Sequence, residues 1–134
     1  MKLKKVEARI KHQKDERPLA YASVQSGTIT FNEAARALMC PADDWTHMDV
    51  FQDEDRPRDF YASINNKAGQ YKRIETKKQM KGERVYTSVS LRNRHLIRQI
   101  LEANKIEATK ARFLVGQPVQ ADGLTVHCLI HLRE

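Results

Sequence analysis

Twice in this chain an apolar pattern of period two gives way, within a few residues, to a pattern of helical period. In Thr28–Phe31, Ile29 and Phe31 alternate with threonines, and Ala35, Leu38 and Met39 then share one helical face. In the second half Val85, Thr87, Val89 and Leu91 alternate, and Leu96, Ile97, Ile100 and Leu101 follow at helical spacing. A half-buried strand running straight into an amphipathic helix must bury both apolar faces, and one shared core does this with the least chain. Asn32 is a good N-cap, Glu33 sits favourably in the first turn, and Pro41 stops the first helix after about two turns. The spacing therefore predicts helices over about 33–40 and 93–104.

Strands account for most of the rest. Leu19–Val24 reads as one, Trp45–Phe51 as another, and Phe60, Ala62 and Ile64 form the inner face of a third. Val6, Ala8 and Ile10 also alternate with charged residues, which suits a strand, while Leu3, Val6 and Ile10 fit a helical face as well. Residues 71–86 read as two strands joined by an exposed lysine-rich tip from Thr76 to Gly82. Ala111–Val115 is a strand, and Asp122-Gly123 is the turn of a closing hairpin. In that hairpin Leu124, Val126, Cys128, Ile130 and Leu132 are expected to face inward, leaving His127 and His131 in solvent. The fold class is α+β: a curved, mainly antiparallel sheet with two helices covering one face. A single domain over 1–134 is expected, with related strand–helix–strand halves at 1–66 and 67–134.

Charge is the strongest functional signal. The chain carries +7 overall. Residues 43–59 hold seven acids against Arg56 and Arg58, or −5, leaving +12 elsewhere. Bases gather in 1–14, 67–84 and 92–112. Such asymmetry suits a polyanionic partner on one side of the molecule. No stretch approaches the ~20 apolar residues of a membrane span. The segment MKLKKVEARIKH has no apolar run behind its charges, so it does not read as a signal peptide and the expected compartment is cytoplasmic. Cys40 and Cys128 are the only cysteines, too few and too far apart for a disulfide framework or a zinc site.

Signatures of catalysis are missing. There is no Gly-rich phosphate loop and no nucleophile elbow. On a strand His127 and His131 stand roughly 13 Å apart, too far to share a metal. Asp55 or Asp59 with Glu75-Thr76-Lys77 is similar to the carboxylate and Glu-x-Lys pattern of metal-dependent nucleases, at a spacing that chance produces easily. No catalytic residue, metal, cofactor or small-molecule substrate is assigned.

The expected role is that of a small, non-catalytic nucleic-acid-binding protein that contacts mainly phosphates. Its candidate contacts are Lys72, Arg73, Lys77, Lys78, Lys81 and Arg84 in the basic excursion, with Arg94 and Arg98 on the second helix. Tyr71 and Tyr86 are the candidates for stacking should the strand be single. The alternative is an assembly or interaction module of a phage or mobile element, its acidic segment docking on the basic surface of another copy. A homo-oligomer fits either role.

Residues 27–60 carry a resemblance. Gly27, Ile29, Phe31, Arg36 and Met39 follow the Gly-x-Ile-x-Ile/Phe-Pro-x-x-x-Arg-x-x-Leu pattern that AbrB/MazE-like swapped-hairpin DNA-binding families share. Asn32 stands in place of the proline, and CPADDWTHMD in place of the Gly-Asp turn. The curved sheet and basic charge also resemble the single-strand-binding coactivator and Whirly type. By that resemblance a sheet face and a basic hairpin hold single-stranded nucleic acid.

Overall fold

The computed structural model describes residues 2–3, 16–79, 82 and 85–133, with the side chains of Lys78, Gln79 and Tyr86 outside that description. The strand or helix expected around 6–10 and most of the basic cluster at 1–14 also lie outside it. Among the described residues ten strands and two helices follow in order: β1 (Leu19–Ser23), β2 (Thr28–Phe31), α1 (Glu33–Met39), β3 (His47–Gln52), β4 (Phe60–Asn65), β5 (Tyr71–Lys72), β6 (Ile74–Gln79), β7 (Val85–Arg92), α2 (Arg94–Ala103), β8 (Lys110–Val115), β9 (Val119–Ala121) and β10 (Leu124–Leu132).

All pairings are antiparallel, and the sheet runs β5-β3-β4-β10-β8-β1-β2-β7-β6, with β9 attached to β10. Its two ends are one stretch of chain. Tyr71–Lys72 pairs with β3, Arg73 makes the bend, and Ile74 onward pairs with β7. The sheet thus curls almost into a barrel, which covers most of its free edge. The pairing scheme reads the same in both halves. The hairpin β1–β2 corresponds to β6–β7, and the pair β3–β4 to β8–β10, while β2 meets β7 and β4 meets β10.

Each helix starts as the periodicity predicts. The Asn32 side chain accepts from Ala35 N and the Asn93 side chain from Leu96 N, both at 2.9 Å. Because β2 and β7 are antiparallel neighbours, α1 and α2 leave opposite ends of the barrel. Both deliver their apolar stripes to one core, Ala35 and Met39 from α1, and Leu96, Ile97, Ile100 and Leu101 from α2. There they meet Phe31, Trp45, Met48, Phe60, Leu91 and Phe113.

Two expectations need correction. In β10 the inward face is inverted. Leu129 lies opposite Phe60 and Val115, and His127 opposite Ala62, so His127, Leu129 and His131 point to the core side. His127 is 1% exposed and donates from Nδ1 to Gly116 O at 2.9 Å, while Ile130 is 44% exposed. The His131 ring packs on Phe113 at 5.6 Å. One residue of register moves every side chain to the other face, and the histidines satisfied inside made the wrong face look the more apolar. Second, Thr76–Gln79 is not a loop tip but strand, paired with Val85–Ser88. Since β2 matches β7 only over Val89–Arg92, that stretch forms a two-stranded arm beyond the barrel wall, and Val85 is exposed on it.

Candidate functional site

The outer wall of β8, β1, β2 and β7 sets side chains in rows. Strand register places Arg112, Tyr21, Thr30 and Ser90 side by side, and Lys110, Ser23, Thr28 and Arg92 in the next row. Outward positions here are hydroxyls, cations and one tyrosine. Ala20, Ala22, Ile29, Phe31 and Phe113 alternate inward, while the row beyond Tyr21 on the outer face is apolar, with Leu19 beside Leu114.

Loops raise this wall into a groove. The segment after α2 leaves the helix through Asn104 and through Lys105, which has φ 56°. Ile106 N donates back to Leu101 O at 2.9 Å. Farther on, Thr109 O accepts from Val24 N at 2.9 Å, holding the segment against the β1–β2 turn. Asn104 Nδ2 donates to Arg58 O at 3.2 Å, which brings the β3–β4 turn to the same rim. The open groove encloses about 1330 Å³. Its charged lining is Arg58, Lys105, Lys110, Arg112 and Arg133 against Glu107 alone. Five cations facing one carboxylate in a concave site focus a positive field.

The candidate residues from the basic excursion and α2 are placed unevenly. Lys72, Lys77 and Arg98 are exposed. Lys78 belongs to β6 by its backbone, and Tyr86 to β7. Lys81 and Arg84 lie outside the described residues. Arg94 is exposed, yet its guanidinium donates to Val24 O at 2.9 Å and to Gln25 O at 3.1 Å. It clamps the β1–β2 turn over Gly27, whose φ of 68° suits glycine. Tyr71 is partly buried and packs against the core.

Arg73 is a clear correction. Its side chain is 6% exposed, so no phosphate reaches it. Nη2 pairs with Glu75 Oε1 at 2.8 Å, and Nη1 donates to Asp43 O and Trp45 O at 3.1 and 3.2 Å. The guanidinium lies 4.7 Å from the Trp45 ring centroid. Arg36 Nη1 donates to Asp43 Oδ2 at 2.9 Å. Arg73 Nη1 is also in ion-pair contact with Asp43 Oδ1 at 3.0 Å without a directed hydrogen bond to it. This network ties α1, the α1–β3 loop and the β5–β6 bend together where the barrel closes. The Nε atoms of Arg36 and Arg73 and Trp45 Nε1 have no hydrogen-bond partner in it.

The acidic segment is largely engaged within the fold. Asp43 holds Arg36 and Arg73, Asp44 accepts from the Cys40 thiol, Asp49 from Gln70 N, and Asp53 from Asp55 N. Glu75 of the nuclease-like pattern is bound to Arg73. Among the described residues no cluster of three His, Cys, Asp or Glu is arranged to hold a metal, and no helix is long and apolar enough to cross a membrane.

Sequence reasoning missed the groove: Tyr21, Arg58, Lys105, Lys110, Arg112 and Arg133. One signal was available, since Lys110 and Arg112 are two apart on a strand and must share a face. Nothing local showed that Tyr21 stands beside them. Comparisons with protein-family models, curated proteins and solved structures give no match, so the functional reading rests on this geometry.

Proposed function

We propose that the protein binds nucleic acid, without catalysis, through the basic groove on its outer wall. The observation that carries this reading is the lining of five cations against one carboxylate, set beside rows of serine and threonine hydroxyls. Cations neutralise phosphates, and hydroxyls donate to phosphate and sugar oxygens. The assembly alternative is less favoured, because four of the seven acids in 43–59 already have partners inside the fold.

The test is a comparison of two double variants by fluorescence anisotropy with labelled oligonucleotides. Lys105→Glu with Lys110→Glu reverses charge in the groove, and Lys77→Glu with Lys78→Glu reverses it on the arm. The groove pair is expected to abolish binding and the arm pair to weaken it modestly. The reverse order moves the interface to the arm. For the unmodified protein, the logarithm of affinity against the logarithm of salt should fall with a slope of about −3, for four to five phosphates of a single strand.

A further inference from the structure

Resting on that reading, we infer that the groove takes single-stranded rather than duplex nucleic acid, with a base stacked on Tyr21. Tyr21 projects from the middle of the outer wall and is 37% exposed. Its direct cross-strand neighbours are Thr30 on one side and Arg112 on the other. The β2 neighbour is short, so the ring is not walled in from that side. In the next row, about 7 Å along the strands, Lys110 and Arg92 stand at the two ends with Ser23 and Thr28 between them. Three strand spacings separate those cations, roughly 14 Å. This is a cation–hydroxyl–cation frame with an aromatic beside its low middle.

A duplex has no use for such an aromatic. Its base faces are hidden in the stack, and only edges show in the grooves. A single strand offers free faces, and stacking on an exposed ring suits any base. The phosphates flanking a base on Tyr21 then come within reach of the cations at the ends of the frame. The serine and threonine hydroxyls between them meet sugar or base edges.

The experiment titrates short labelled DNA and RNA oligonucleotides, each single-stranded and as a blunt duplex, with inorganic polyphosphate as competitor. Single strands are expected to bind about tenfold more tightly than duplexes of the same length. Tyr21→Ala should weaken single-strand binding about tenfold, within the range for one stacked base, and Tyr21→Phe should preserve it. Duplexes binding as tightly as single strands, or Tyr21→Ala weakening both alike, would overturn the inference and leave the groove reading intact. If neither the oligonucleotides nor polyphosphate bind, the groove reading itself falls. The DNA and RNA arms decide which sugar the hydroxyl rows prefer.

Discussion

Among single residues, Arg73 shows how far charge on paper can differ from charge at the surface. It lies in one of the basic clusters of the sequence, yet its guanidinium is held by Glu75, two main-chain carbonyls and the Trp45 face. Arg73→Ala should lower stability by roughly 1.5–3 kcal/mol, as expected for losing charge-assisted hydrogen bonds. Lys77→Ala, on the exposed side of the arm, should stay within about 0.5 kcal/mol. Urea unfolding of both variants checks the contrast. Cys128 gives a pH signature. Burial chiefly, with the Asp59 carboxylate nearby, pushes its thiol above the usual 9.0, and the Tyr61 hydrogen bond opposes this. Tyr61, opposite it on β4, is raised first by the Cys128 thiolate and then by burial. The folded state therefore holds these protons more tightly than the unfolded chain. That stability is intact below about pH 9 and is lost as pH rises through the folded values. Urea midpoints should fall between pH 8 and pH 10, and Cys128→Ala should flatten the decline.

For the elements, β10 carries the sharpest expectation. Leu129 is 4% exposed and its chain neighbour Ile130 44%. Leu129→Ala should cost about 2–5 kcal/mol, and Ile130→Ala under about 1 kcal/mol. Equal losses would mean that the register is wrong. Both helices, by contrast, were legible in the sequence by their stripes, and the first also by its Asn32 cap, because N-capping and helical periodicity are local; Asn93, expected inside the second helix, is its N-cap. Strand faces were legible where one face is plainly apolar, as in β2 and β4. They were not in β10, where the decision lay with histidines whose partners, Gly116 O and the Phe113 ring, sit on other strands.

For the molecule as a whole, barrel closure predicts cooperative unfolding. Trp45 packs edge-on to Phe31 at 6.3 Å and lies beneath Arg73 at the seam, so its fluorescence reports on closure. Its transition in urea should coincide with the loss of far-UV circular dichroism, as for a single two-state domain. An earlier change in fluorescence would show that the seam opens on its own. Strands joined across long sequence separations should also make folding slow, in milliseconds to seconds.

Composition and local periodicity were enough for the α+β class, both helices, the Asn32 cap, most strands, and the uneven distribution of a net positive charge. These follow from local periodicity and composition, which need no knowledge of neighbours. It took the folded chain to show that the sheet curls almost shut, that Arg73 and Arg94 are bound within the fold, and that Lys110, Arg112 and Tyr21 line one groove. Those outcomes depend on which strands lie side by side, and pairing across a barrel is set by the packing of a whole core.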